Sequence, residues 1–269
     1  MPAARARLDA ELVRRGLARS REQAGELVAA GLVAVAGQQA SKPATQVARD
    51  APITVTDRLE PDYVSRGGHK LAGALAVFGT QDGGGLAVAG RLCLDAGAST
   101  GGFTDVLLRA GAAHVVAADV GYGQLAWSLR TDPRVTVLDR VNVRTLEQVT
   151  PVPDLVVADL SFISLTLVLP ALVACAVPGA DFVLLVKPQF EVGKGRVGAG
   201  GVVRDTADRA AAVEKVAGAA AGLGLGVRGV TASPLPGPAG NVEYFLWLLR
   251  GAPPLDQQQL RRAIEEGPS

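Results

Sequence analysis

Histidine occurs twice in the 269 residues, as His69 and His114, and cysteine twice, as Cys93 and Cys175. Ligands this few and this scattered exclude a zinc site, and no metal is expected. Both cysteines lie in apolar runs, where they read as core residues of a reducing compartment. Aromatic residues make up only 4%. No basic amphipathic helix with aromatic anchors is visible, which argues against a membrane-surface protein. Long apolar runs are missing too. Leu165 to Val186 comes nearest, but Pro170, Pro178, Gly179 and Asp181 divide it. The pieces fall short of the roughly 20 residues that a bilayer span needs. A buried helix followed by a buried strand is expected there. The amino terminus carries arginines rather than an apolar signal core, so a cytoplasmic location is expected. Charge of one sign is also lacking. The formal net charge is +1, and the sum neither implies nor excludes a polyanionic partner.

What is present is a chain with 48% hydrophobic residues, enough for a sizeable core. Its first sixty or so residues read as a small α+β module. Leu8, Leu12 and Val13 fall at helical spacing; Ser20 and Gln23 form a capping box for a second helix faced by Leu27 and Val28. Gly31 stops it, and short strands are expected at 32–36 and 53–56. Arg5, Arg7, Arg14, Arg15, Arg19 and Arg21 are expected on these first helices. Such a run is either a solvated face or a forked surface suited to phosphates. A polar connector is expected at roughly 57–62, and the expected division is 1–60 for the module, 61–66 for a linker, 67–250 for the main domain, and 251–269 for a tail with one weak helix.

From Leu92 onward, near-continuous Val/Leu/Ala runs alternate with helices. They predict a doubly wound α/β sheet, mostly parallel, whose last strand follows a tight Pro/Gly turn and is antiparallel. The first of these strands ends in DAGASTGGFTD, residues 95–105. Gly97-x-Ser99-x-Gly101 would fit an esterase elbow, but that needs an acid and then a histidine downstream, and no histidine follows His114. The spacing also differs from Gly-x-Gly-x-x-Gly. Asp95 at the strand's end can accept from a ligand ammonium, and Gly97, Gly101 and Gly102 allow a ligand to lie on bare backbone. Asp119, followed by Val120, ends the next strand and can take both hydroxyls of a ribose; Asp139 ends the third and could face an adenine. Each acid alone would serve equally as a helix cap. A ligand with an amino-acid end and an adenosine end fits Asp95 and Asp119 both: S-adenosylmethionine.

Strand four ends in Asp159 (VVADLSFIS) and strand five in Lys187 (VLLVKPQFE). A lysine closing an apolar strand is costly to bury without an acid partner. Asp159 is such a partner; Glu243 opens the last strand (GNVEYFLWLL), and Lys70 opens the helix before the first. The four would form a near-neutral cluster, either a structural ion-pair group or one that activates a weakly acidic hydroxyl. The segment GKGRVGAGG, residues 193–201, is either a surface loop or a phosphate-clamping flap using Lys194 and Arg196.

The stretch RLDAELVRRGLARSREQAGELVAAGLVAVAG resembles the RNA-binding domain named after the fourth small-subunit ribosomal protein. SRGGHKL, DAGASTGGFTD, DVGYGQLAW, ADLSFIS, LVKPQFEVG and NVEYFLWL together resemble the FtsJ-type RNA 2′-O-methyltransferases and, with the amino-terminal module, the TlyA family of ribosomal RNA cytidine methyltransferases. The resemblance implies a Rossmann-like, S-adenosylmethionine-dependent fold. It implies a catalytic tetrad of Lys70, Asp159, Lys187 and Glu243, and a cofactor loop of Asp95, Gly97, Ala98, Ser99, Thr100, Gly101, Gly102 and Phe103. The implied substrate is the cytidine 2′-hydroxyl of 16S and in some members 23S rRNA, with ribosomal subunits as partners. Two other readings are a membrane-active, haemolysin-like protein and a noncatalytic RNA-binding scaffold.

Overall fold

Leu8, Leu12, Ala24 and Val28 place one apolar stripe on each of two short helices, and these stripes meet around Val33 and Val47. The computed structural model describes residues 5–29, 31–55, 63–80 and 84–268; the expected connector at 57–62 lies outside them. The chain divides into two units, Met1–Asp62 and Tyr63–Ser269. In the smaller one, strand β1 (Arg5–Arg7) runs straight into helix α1 (Leu8–Arg14), and α2 (Arg21–Ala29) follows. Half of the capping box forms: Ser20 Oγ accepts from the Gln23 N–H at 3.1 Å, while Gln23 Oε1 accepts at 2.6 Å from the N–H of Arg19, one residue before the cap. Strands β2 (Val33–Val35) and β3 (Gln38–Gln39) make a hairpin whose turn residues, Ala36 and Gly37, both have positive φ, 51° and 80°. That is the backbone a two-residue hairpin turn with the right twist requires. Strand β4 (Gln46–Ala48) pairs with β1, and β5 (Ile53–Val55) pairs with β2. Thus Arg5 and Arg7 lie on a strand, not a helix, a correction to the sequence reading. Three residues are too few to show an alternation.

The larger unit contains α3 (Gly67–Gly79), β6 (Leu92–Ala96), α4 (Gly102–Arg109), β7 (His114–Asp119), α5 (Trp127–Arg130) and β8 (Val135–Asp139). Then come β9 (Leu155–Ala158), α6 (Leu169–Ala174), β10 (Asp181–Val186), α7 (Pro188–Glu191), α8 (Thr206–Gly222), β11 (Leu225–Ala232), β12 (Tyr244–Arg250) and α9 (Gln257–Glu265). One seven-stranded sheet runs β11-β12-β10-β9-β6-β7-β8, with β12 antiparallel to both its neighbours. The period of two sorts each strand. Leu94, Val116, Val156, Leu184 and Leu246 enter the core on one face; Cys93, Val115, Val157, Leu185 and Phe245 enter the core on the other. Both faces are covered, which is why the strands read as unbroken apolar runs. Cys93 and Cys175 are free, buried thiols on opposite faces.

Residues 63–66, assigned to the linker from sequence, pack within the larger unit. The Val64 N–H donates to Asp105 Oδ2 at 3.0 Å, and the Tyr63 ring meets His69 edge-on at 5.1 Å. The tail is more than a weak helix: α9 buries Leu260 and Ala263 in the core beside β11.

The order reverses at β6. The chain builds outward through β7 and β8, then returns to lay β9 on the other side of β6. Ligands bind such sheets at the carboxyl ends of the strands flanking that reversal. Asp95 and Asp159 stand there.

Candidate active site

Strand direction assembles the four ionisable residues. Parallel β9 and β10 end at one edge, where Asp159 and Lys187 follow them. Antiparallel β12 begins at that edge. Its register pairs Val186 with Tyr244, so the next position outward sets Lys187 opposite Glu243. Lys187 Nζ lies 2.6 Å from Asp159 Oδ1 and donates to Ser161 Oγ at 2.9 Å. Lys70 Nζ, from the first turn of α3, donates to Glu243 Oε2 at 2.6 Å. The cluster is therefore two ion pairs. Both lysines are 8% exposed and Glu243 is fully buried, whereas the Asp159 side chain keeps 22% exposure, so the Lys70–Glu243 pair is the one best shielded from water. Glu243 Oε1 has no partner among the described residues. Room for it comes from Gly237, where a Cβ would stand 2.6 Å from that oxygen.

The glycine turn meets this edge from the side. Gly97 and Gly101 have φ of 87° and 101°. A Cβ on Gly97 would lie 2.5 Å from the Asp159 carbonyl oxygen, one on Gly101 2.3 Å from Leu129 Cδ1, and one on Gly102 2.3 Å from Ser65 Oγ. The side-chain space these glycines leave is taken by the chain's own neighbours, so one close approach they permit is that of Asp159, Leu129 and Ser65. Phe103 is likewise a core residue, 6.0 Å from Phe245 between ring centres, and Ala98 is buried beside it. Ser99 and Thr100 are exposed; Ser99 has a positive φ of 48°, and its N–H donates to Asp119 Oδ2 at 2.8 Å. Asp119 Oδ1 accepts from the Gly121 N–H at 2.7 Å, so this carboxylate holds two turns together. Val120 beside it is exposed. Asp139 accepts from Arg130, which holds its carboxyl below the usual range, and from the Gly123 N–H. Its carboxylate thus already has a charged partner at the end of the third parallel strand.

Asp95 is fully buried. Its Oδ2 accepts from Thr104 Oγ1 at 2.7 Å, and its Oδ1 has no partner among the described residues. Burial pushes this carboxyl up to about 7; the Thr104 hydrogen bond opposes that, and the charge of Asp159 adds to it. A buried carboxylate oxygen left without a donor is costly. A ligand ammonium would complete it, so the turn fits the amino-acid end of S-adenosylmethionine.

Sequence reasoning missed Thr104, Ser161, Gly237 and the 92%-exposed Phe162. Ser161 carried one signal, its place two residues after Asp159 in the DLS triplet; Gly237 lay unread in SPLPGP.

In the smaller unit the arginines are tied to two buried acids. Arg7 and Arg21 reach Asp9 at 2.8 and 3.0 Å; Arg14 and Arg15 reach Glu11 at 2.5 and 2.8 Å. Arg15 also donates to the carbonyls of Ala51 and Arg49. Two arginines share each acid, so a positive excess remains at each site. Arg5 is exposed, and Arg19 lies between the helices. In the larger unit Arg196 lies 3.3 Å from Asp208; the side chain of Lys194 lies outside the described part. Among the described residues there is no group of three metal-ligating side chains and no helix long and apolar enough to cross a membrane.

Residues 63–250 match the FtsJ-like methyltransferase family, and residues 6–53 match the S4 domain. The chain is 62% identical, over 99% of its length and 100% of the relative's, to the 16S/23S rRNA (cytidine-2′-O)-methyltransferase TlyA of Mycobacterium tuberculosis. It is 36% identical to Hemolysin A of Brachyspira hyodysenteriae over 89% of this chain and 98% of that one. A solved structure from Streptococcus thermophilus, also named a hemolysin, superposes with a TM-score of 0.75 at 39% identity, covering 97% of this chain and 95% of the other. The chain belongs to the TlyA group of FtsJ-like methyltransferases, those with an S4 domain at the amino terminus.

Proposed function

We propose that this methyltransferase carries the methyl group of S-adenosylmethionine to the 2′-hydroxyl of cytidine in ribosomal RNA, 16S and 23S. The observation that carries the reading is the pair of 2.6 Å lysine–carboxylate contacts at the sheet edge that also bears the unpartnered oxygen of Asp95. The activity for which the 62%-identical relative is named supports the substrate.

The cofactor supplies an electrophilic methyl carbon on a sulfonium sulfur. Asp95 would hold its ammonium, the 97–101 backbone its methionine part, Asp119 its ribose and Val120 its adenine. Phe103 and Asp139 support that surface from behind. A ribose hydroxyl is a weak acid, so the nucleophile needs a group that takes its proton or steadies the oxygen as the proton leaves. Lys187 has that role. Asp159 and Ser161 fix its rotamer, and the Lys70–Glu243 pair adds a second, nearly neutral dipole that keeps the lysine from facing an uncompensated acid. The exposed Phe162, 5.3 Å from Phe190, offers a ring face on which an unstacked base can lie. The S4 unit binds phosphates through its arginines.

Two measurements test this. Mass mapping of 2′-O-methyl groups on rRNA, from cells with and without the gene, should show cytidine positions that depend on it. With purified protein, Lys187→Ala should lower kcat by about a hundredfold or more, the range of a lost acid–base group, and leave cofactor affinity within about threefold. An unchanged kcat would sink the role given to Lys187.

A further inference from the structure

Glu191 is a buried acid for which the methyl-transfer reading has no task. It is 4% exposed and stands one helical turn after Lys187, at the end of α7. Its Oε2 accepts from Ser164 Oγ at 2.6 Å, and its Oε1 accepts from the Leu165 N–H at 2.7 Å. Lys215 of α8 balances its charge at 3.2 Å and donates to its backbone carbonyl at 2.7 Å. Ser164 caps, and Leu165 opens, the short 3-10 helix Leu165–Leu167 in which the segment starting at Asp159 ends. The 159–165 and 187–191 segments are therefore joined at both ends: by Lys187 to Asp159 and Ser161, and by Glu191 to Ser164 and Leu165.

Phe162 stands between the two joins. Its φ is +65°, and its ring is almost wholly exposed. A bulky side chain in the left-handed region costs free energy and persists only where its surroundings over-determine it. The first join holds the turn at Asp159 and Ser161, and the second, made by a buried carboxylate to a backbone N–H and a serine, holds its other end.

We propose that Glu191 is a positioning residue for methyl transfer. It locks the turn that carries Asp159, Ser161 and Phe162 onto the segment that carries Lys187, so that the lysine amine meets its partners in one geometry. The inference rests on the reaction proposed above.

The test is steady-state methyl transfer from S-adenosylmethionine to rRNA, with calorimetric cofactor affinity and melting temperature, on full-length wild type, Glu191→Gln, Glu191→Ala and Ser164→Ala. Misplacing a reacting group by about 1 Å can cost on the order of a hundredfold, so Glu191→Ala is expected to lose roughly 10- to 100-fold in kcat. The KM for RNA and the cofactor affinity should stay within about threefold, as for an interaction felt in the transition state. Glu191→Gln keeps an acceptor for Leu165 and a donor for Ser164, and should rescue kcat to within about threefold of wild type. Ser164→Ala, which leaves the buried acid in place, should lose about 3- to 10-fold, and it decides the matter if Glu191→Ala does not fold. Any of three results overturns the proposal: kcat unchanged in both alanine variants, kcat and cofactor affinity lost together, or Gln as damaging as Ala. A wild-type protein that methylates no RNA would overturn the parent reaction, and this inference with it.

Discussion

Asp95 shows how burial can shift the chemistry of a single side chain. Its folded carboxyl titrates near 7 rather than 3.8, chiefly because it is buried. The folded protein therefore holds this proton more tightly than the unfolded chain. Stability is lost as pH rises from about 4 through 7, and the loss is complete above 7. At about 1.4 kcal/mol per pKa unit, the step from 3.8 to about 7 corresponds to roughly 4 kcal/mol. Without cofactor, Asp95→Asn should thus melt higher than wild type at pH 8 and no higher at pH 5. The same variant should bind S-adenosylmethionine more weakly at pH 8, because the ammonium loses its charged partner. Thermal melts at both pH values, with and without cofactor, check both effects; a variant that melts lower at pH 8 would refute the assignment. This residue was legible in the sequence because an acid closing an apolar strand stands out against its neighbours. Its partner Thr104, nine residues on, was not, since a threonine in a helix's first turn has many ordinary uses. Nor could sequence foresee that Gly97, Gly101 and Gly102 answer to Asp159, Leu129 and Ser65, because those contacts come from other segments.

At the scale of elements, apolar continuity decided what could be read, which is why even the three-residue β2 and β5 were legible. β6, β7, β9, β10 and β12 are runs of four to seven mostly buried residues, and their continuity is itself the signal. β1, β3 and β4 are no longer than three, and hydrogen bonding rather than periodicity defines them. α9 was undervalued because its buried residues, Leu260 and Ala263, are separated by polar ones. The least visible element-level feature is the buried acid on α1. Glu11 looked like one charge among many, yet it anchors Arg14 and Arg15, and their hydrogen bonds hold its carboxyl at about 2 instead of 4.5. Here the sign is opposite to that of Asp95: the contribution is whole above 4.5 and disappears as pH falls from 4.5 towards 2. Asp9 is lowered in the same way by Arg7 and Arg21. The smaller unit should therefore lose structure over this acid range, and Glu11→Gln should flatten its pH dependence there while lowering its stability at pH 7. Methyl resonances of Leu8 and Leu12 followed by NMR from pH 6 to 2 measure this directly; identical titrations of wild type and variant would show that the arginine pairs contribute nothing.

For the whole molecule the question is what each unit contributes to holding RNA. The two have separate cores, Leu8 to Val47 in one and the two faces of the large sheet in the other. All the residues assigned to the cofactor and to the transfer step lie in the second. Removing residues 1–62 should accordingly leave cofactor affinity within about twofold and weaken rRNA affinity by at least about tenfold near 0.15 M salt, because phosphate contacts supply much of such binding. The salt dependence carries the sharper information. Over residues 1–21 the six arginines outnumber the two buried carboxylates, which pair with four of them, by four, although nine cations and eight acids leave residues 1–62 as a whole a net charge of only +1. The slope of log affinity against log salt should then fall by about two to four on truncation, depending on how many of those charges reach phosphates. Arg14 and Arg15 can both serve only if Glu11 continues to hold them in place, so Glu11→Gln in the full chain should reduce the slope by less than truncation does, and by more than zero. If truncation weakened cofactor and RNA binding equally, or left the salt slope as it was, the basic unit would be supporting the catalytic one rather than gripping the substrate.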